Sequence, residues 1–252
     1  MKPHERQSRI EEMTRQEGEV SVDGLALHFR VSTETIRRDL TALAEDGRVQ
    51  KVHGGARRPR LIREPSHSDR AVTEAAAKAR IGQRLADAVE PGETLFIDTG
   101  STTLAAAAAL AAVPGLTIIT NSCRLADRLA QAGSDAQVFL LGGRYGADNA
   151  QTTGAAVIDQ LRGFQADRAV LTVAAFDPEI GAMDASLDEA EVARAMAARA
   201  RRVTILADGT KFGRRATYAV CATTEIDLII SDGPLEKAHR EALKHKGVEL
   251  WT

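Results

Sequence analysis

Little cysteine, no long apolar stretch and almost no net charge distinguish this 252-residue chain. Its two cysteines, Cys123 and Cys221, lack the close spacing of metal or redox pairs, so neither a zinc site nor a disulfide framework is expected. The longest apolar run, Leu104 to Val113, is mostly alanine and about half of the ~20 residues needed to cross a bilayer. Met1 to Arg6 leads into no apolar export segment, so the expected address is a reducing cytoplasm, with no membrane partner. With 33 Lys+Arg against 35 Asp+Glu the net charge is −2, which excludes both a globally basic nucleic-acid coat and an acidic disordered tail. The six histidines show no metal-ligand spacing, and neither metal nor cofactor is expected.

What is present is unevenly distributed. At roughly 150 residues per domain the length allows two unequal domains. Residues 1 to 63 hold 13 Lys/Arg against 10 Asp/Glu, a net of +3, and the remainder carries −5. From Arg48 to Arg63 there are six basic residues and no acid, which reads as a basic arm or as a solvated charge run. Arg6 to Glu17 reads as a first helix that Gly18 ends. Ser21, flanked by Val20 and with Leu25 at the fourth helical position, predicts a capped second helix ending near Phe29. Ser32 repeats that grammar with Val31 and Ile36, and Thr33 to Ala44 predicts a third helix with Ile36, Leu40 and Leu43 inward and Gly47 as its left-handed stop.

Two capped helices joined by a tight turn, followed by an alternating Arg48-to-His53 segment and Gly54-Gly55, predict a winged helix-turn-helix in domain 1–57. In that geometry the third helix enters the major groove of double-stranded operator DNA. Ser32, Thr33, Thr35, Arg37 and Arg38 are its candidate contacts, with Arg48, Lys51, His53 and Gly54 of the hairpin on phosphates. The plain alternative is that Arg37 and Arg38 are surface arginines balanced by Glu34 and Asp39. Val31 to Leu40 (VSTETIRRDL), Gly47 and Val52 to Ala56 (VHGGA) together resemble the DNA-binding signature of the DeoR/GlpR family of bacterial sugar-metabolism repressors. The resemblance implies a repressor, nucleoid-associated when bound, whose second domain senses a phosphorylated sugar or polyol.

After a linker, 58–74, the domain 75–252 alternates helical segments with short apolar runs at Leu95–Ile97, Leu116–Thr120, Val138–Leu141, Ala169–Val173, Val203–Ala207 and Leu228–Ile230. The fold class expected is α/β, a Rossmann-like and mostly parallel sheet whose ligands bind beyond the strand carboxyl ends. Polar turns stand at those ends. Asp98-Thr99-Gly100-Ser101-Thr102-Thr103 suits an anion at a helix N-terminus, although Ser101 or Thr102 as a simple cap is the plain alternative. Thr120-Asn121-Ser122, Gly142-Gly143-Arg144 and the Asp208-to-Gly213 turn with Lys211 follow other strands, while Arg144 also reads as an ordinary surface arginine. Asp148 and Asn149 suit a polyol or merely cap a turn.

The family resemblance extends here through Asp98–Thr103, Thr120–Ser122, Leu141–Gly143, Glu189–Val192 and Lys211–Gly213. It implies a fold similar to ribose-5-phosphate isomerase, with phosphate at Gly100 to Thr103 and the sugar at Lys211. Where the family has a bulky residue and hydroxyls after Asp177 to Gly181, this chain has Ala182-Met183-Asp184, so Asp177 and Asp184 are candidates for tuning specificity. The competing function is an isomerase with a carboxylate base (Asp98, Asp177 or Asp184) and Lys211 as the cation; an effector-dependent activator is another alternative. The attached reader favours a sensor, since a catalyst depletes the signal it measures. A dimer or tetramer is expected on a repeated operator, hinged within 56–73.

Overall fold

The structure, a computed structural model, describes residues 2–45, 48–57, 61 and 65–252. The chain divides into two compact units, Met1–Leu61 with Gly213–Arg215, and Ile62–Phe212 with Ala216–Thr252.

In the first unit, α1 (Pro3–Glu17) is followed by β1 (Glu19–Ser21), α2 (Val22–Phe29), α3 (Thr33–Glu45) and the hairpin β2 (Gln50–Val52) and β3 (Gly55–Arg57). Both predicted caps form: Ser21 Oγ accepts the Gly24 N–H and Ser32 Oγ accepts the Thr35 N–H. Between them Arg30 turns the chain in the left-handed region at φ 55°. Ile10, Leu25, Ile36, Leu40, Leu43 and Ala56 close the core. A buried Arg6–Asp39 ion pair, 2.5 Å apart, ties α1 to α3.

Three details depart from expectation. β1 pairs antiparallel with β3, making the wing a three-stranded sheet, and three residues are too few to show a period in sequence. The strand expected from Arg48 starts only at Gln50, because the Arg48 and Val49 N–H groups donate to the Leu43 carbonyl and finish α3. The turn is His53-Gly54 rather than Gly54-Gly55. Gly54 takes φ 78°, while Gly55 lies in the strand, where a Cβ would stand 2.1 Å from the Val20 carbonyl oxygen. The expected stop at Gly47, and Arg58, Arg60 and Arg63 of the basic run, lie outside the described residues.

The second unit begins with α4 (His67–Val72), α5 (Ala75–Ala88), β4 (Thr94–Ile97), α6 (Ser101–Leu110), β5 (Thr117–Thr120), α7 (Cys123–Gln131) and β6 (Gln137–Leu140). A hairpin of β7 (Arg144–Gly146) and β8 (Gln151–Thr153) follows, then α8 (Ala155–Leu161) and β9 (Ala166–Thr172). Next come β10 (Ala175–Asp177), β11 (Gly181–Asp184), α9 (Leu187–Ala197) and β12 (Ala200–Leu206). The chain ends with β13 (Tyr218–Cys221), β14 (Leu228–Ile230), α10 (Lys237–His245) and β15 (Glu249–Trp251).

Seven strands form one parallel sheet in the order β15-β14-β12-β9-β4-β5-β6, as the apolar runs predict. Leu85, Leu110, Leu125 and Leu129 cover Leu95, Ile97 and Ile118 on one face; Val157, Leu161, Val192, Met196 and Leu243 cover Phe96, Ile119 and Ile205 on the other. The chain leaves β4 outward to β5 and β6 and returns to β9 on β4's other side. The crevice beyond β4 and β9 is therefore the topological switch point, where ligands of such sheets bind. A second, antiparallel sheet, β10-β11-β13, had no counterpart in the sequence reading. Nor is the expected linker wholly irregular, since Ser66 caps α4 within it by accepting the Asp69 N–H. Among the described residues, no helix is long and apolar enough to cross a membrane.

Candidate functional site

The polar side of α3 offers Thr33, Thr35, Arg37 and Arg38. Glu34 holds Arg37 and Arg38 only loosely, at 3.7 and 3.8 Å, and both guanidiniums are more than half exposed. Such pairs contribute little and exchange readily for phosphate. Lys51 on β2 donates to Thr41 Oγ1 across 2.9 Å, which sets the wing beside α3. Arg37, Leu40, Lys51, His53 and Gly54 line one groove of about 410 Å³. Two candidates are already engaged within the unit: Ser32 is the cap of α3, and Arg48 clamps Glu11 of α1 at 2.6 Å.

In the second unit, buried Asp98 follows β4 and accepts the Thr172 N–H (2.8 Å) and Oγ1 (3.2 Å), bridging β4 and β9 at the switch point. Burial pushes its carboxyl well above the usual range; the Thr172 bonds oppose this, and the charges of Asp184 and Glu189 add to it. Gly100, extended at φ −166°, lies against Thr172, where a Cβ would stand 2.2 Å from Oγ1. α6 then begins at Ser101 with no side-chain cap. The plain reading of Ser101 or Thr102 as a cap is thereby removed, and no side chain caps the first-turn N–H groups. Thr103 Oγ1 turns back to the Asp98 and Gly100 carbonyls.

Burial raises Asp184 above its usual range; the Ser186 and Ala185 N–H groups and the charges of Arg70 and Lys211 hold it down. Lys78, almost fully buried on α5, donates to the carbonyls of Arg70 and Thr73. Burial lowers its pKa, Asp208 opposes this, and Lys211 and Arg70 lower it further. Arg70 donates to Asn149 Oδ1 at 2.7 Å, and Asn149 and Gln151 both donate to Glu189 Oε1, at 2.8 and 2.7 Å. Charges of both signs are therefore interspersed along this edge: Asp208 acts on Lys78, Arg70 and Lys211 act on Asp184, and Asn149 links Arg70 to Glu189.

Other expected residues have structural work. Thr120 Oγ1 accepts the Ser122 N–H, Ser122 caps α7, and Asn121 donates to the Thr152 carbonyl and accepts from Thr99. Gly142 is latched by Gln160, while a Cβ on Gly143 would stand 2.6 Å from Val157, so this pair serves packing against α8. Exposed Arg144 pairs with Asp188. Asp148 accepts the His67 N–H at the start of α4, and Asp177 Oδ1 accepts the Glu179 and Ile180 N–H groups of its own turn.

Residues 6–60 match the DeoR-like helix-turn-helix domain, and residues 73–233 match the DeoR C terminal sensor domain. The chain belongs to the DeoR family. It is 33% identical over 251 residues to the glycerol-3-phosphate regulon repressor of Escherichia coli K12, covering 99% of each chain. It is 32% identical to the HTH-type transcriptional repressor GlcR of Bacillus subtilis, covering 99% of this chain and 96% of that one. Among solved structures, ribose 5 phosphate isomerase A from Neisseria gonorrhoeae overlaps 55% of this chain and 53% of that one, at 14% identity and a TM-score of 0.41. The protein is a DNA-binding transcriptional regulator of the DeoR family, with a reader and a sensor domain.

Sequence reasoning did not single out Arg70, Lys78, Thr172 or Glu189 as site residues of this DeoR-family chain. Lys78 carried a signal: it falls in register with Ile81, Leu85 and Val89, a charge on an apolar stripe. Glu189 lay inside a motif quoted for the family. Arg70 carried none, because its place depends on Asn149, 79 residues away.

Proposed function

We propose that this DeoR-family regulator represses an operon for uptake or breakdown of a carbohydrate or polyol. A phosphorylated sugar or polyol, bound at the carboxyl edge of the sensor sheet, releases it from operator DNA. The gathering of cations and carboxylates at that edge, beside the uncapped start of α6, carries the reading. The uncapped start of α6 with Ser101, Thr102, Arg70, Lys78 and Lys211 suits a phosphate, and Asp98, Asp184 and Glu189 suit hydroxyl donors. Asn121, Thr120 and Asn149 support this shell. On the reader, Thr33, Thr35 and Arg38 face base edges while Arg37, Lys51 and His53 meet phosphates.

Arg70 belongs to the 58–74 segment that joins the two domains, so an anion drawing on Arg70 acts directly on the connection to the reader. A coupling of ~1–3 kcal/mol changes operator affinity roughly 5- to 150-fold. We also infer a cytoplasmic, nucleoid-bound protein that reads a repeated operator as an even-numbered homo-oligomer.

Thermal shift with sn-glycerol 3-phosphate, D-glucose 6-phosphate, D-ribose 5-phosphate and inorganic phosphate tests the site. An effector at 100 times its Kd stabilises the sensor by about 2.7 kcal/mol. The shift disappears in Lys211→Met and Lys78→Met. Equal binding by wild type and both variants would refute the assignment.

A further inference from the structure

The strand at one end of the sensor sheet is unlike its neighbours. β4 and β5 are buried from their second residue onward, as parallel strands between two helical layers must be. β6 is open on both faces: Phe139 remains 36% and Leu140 48% exposed, and alternation sends these two to opposite sides. Phe139 meets Phe164 on the α8 face, while Val138, and Leu140 with it, lies on the α7 face. Both helical layers therefore cover β6 only in part. Among the described residues, no strand pairs with its outer edge.

Exposed edges are normally blunted by charge, proline or a bulge. Gln137-Val138-Phe139-Leu140 has no charge and no proline, and its pairing with β5 runs without a bulge. The opposite edge, β15, is guarded: Glu249 lies 3.9 Å from Arg202 and accepts the Trp251 Nε1–H.

We propose that β6 is the dimer edge of this regulator, pairing antiparallel with β6 of a second copy across a two-fold axis that passes between Phe139 and the partner's Phe139. Val138 then stands opposite the partner's Leu140, both on the α7 face, and Phe139 faces its own copy on the α8 face. The absence of charge selects this occupant. An isologous pairing sets the residue at the axis against its own copy, and a charged edge would bring like charges together there. The area is proportionate. Phe139, Leu140 and Tyr145, the last 60% exposed on the following strand, offer roughly 300 Å² of side chain per protomer. Two copies supply ~600 of the ~1,600 Å² of a standard interface, leaving the rest to backbone and the flanks of α7 and α8. The partner's helical layers would cover the faces that this protomer leaves open. The proposal rests on the homo-oligomer reading above and gives it a surface.

Light scattering behind size exclusion at about 10 μM tests both. Wild type is expected at twice the 27.0 kDa chain mass or a larger even multiple, and Leu140→Lys at half the wild-type mass with unchanged circular dichroism. Operator affinity of Leu140→Lys should fall at least ~100-fold through lost avidity. A monomeric wild type overturns the oligomer reading and the edge together. A dimeric wild type with Leu140→Lys at the same mass overturns the edge alone. Should Leu140→Lys misfold, Val138→Cys with Leu140→Cys decides: a disulfide-linked dimer absent from wild type and from each single variant supports the pairing, and no such dimer overturns it.

Discussion

Gly100→Ala puts one methyl group into the switch point. At φ −166° alanine suffers no backbone strain, so the cost is steric. The new Cβ would stand 2.2 Å from Thr172 Oγ1, 2.7 Å from its Cγ2 and 2.9 Å from its Cβ. Thr172 must shift, and its hydroxyl and N–H are the groups that hold Asp98. Overpacking costs ~1–3 kcal/mol and a weakened bond to a buried carboxyl ~1 more, giving about 2–4 kcal/mol. Trp251, the chain's one tryptophan, lies on β15, so its fluorescence follows the sensor alone. With an m value near ~2 kcal/mol/M, the urea midpoint of that transition should fall by about 1–2 M. Gly100→Ala with Thr172→Ala should lose at least ~1 kcal/mol less than the two single changes together, because Thr172→Ala removes the clashing methyl and hydroxyl. A midpoint shift below ~0.25 M, or strict additivity, would refute the role assigned to this contact.

Removing Lys51 (Lys51→Ala) should flatten the log–log salt dependence of operator binding by about one unit; an unchanged slope removes Lys51 from the phosphate contacts. Arg6→Ala should cost the reader about 3–5 kcal/mol, because Asp39 is left buried with its charge uncompensated; a loss under ~1 kcal/mol in thermal unfolding would show that Asp39 finds another partner. His67 is held down at about 4 by burial, then by the charges of Arg124 and Arg70, with Asp148 opposing and Lys78 adding. Folded His67 stays neutral where the unfolded chain takes up a proton near 6.5, so its contribution is whole above pH 6.5 and drains away towards pH 4. Asp98 and Asp184, whose values are raised, contribute with the opposite sign, being favourable in acid and lost as pH rises. The difference between wild-type and His67→Gln unfolding profiles isolates the histidine, and it should slope between pH 6.5 and 4 and be flat above.

What could be read ahead of the structure was whatever is encoded locally. Ser21 and Ser32 announce their helices because a cap and its staple lie within five residues. The six apolar runs announce a parallel sheet because strands buried on both faces are apolar throughout. β1 escaped notice because its strand identity comes from β3, more than thirty residues later. α4 has no apolar stripe and is held by Asp148, Asn149 and Lys78, so only tertiary structure reveals that it brings Arg70 to the sensor edge. The turns of the candidate site were legible as a set. Their division of labour was not: Ser122 and Ser101 carry the same turn chemistry, and only their partners separate the cap of α7 from the uncapped start of α6.

In the proposed function, an anion at the carboxyl edge of the sensor sheet controls the reader. Fluorescence anisotropy of labelled upstream DNA, with the repressor held near its Kd and phosphorylated sugars and polyols titrated in, measures this directly. One effector should lower operator affinity by roughly 5- to 150-fold in wild type and leave Lys211→Met on the DNA. Operator affinity that rises with the effector, or a release that persists undiminished in Lys211→Met, would contradict the account.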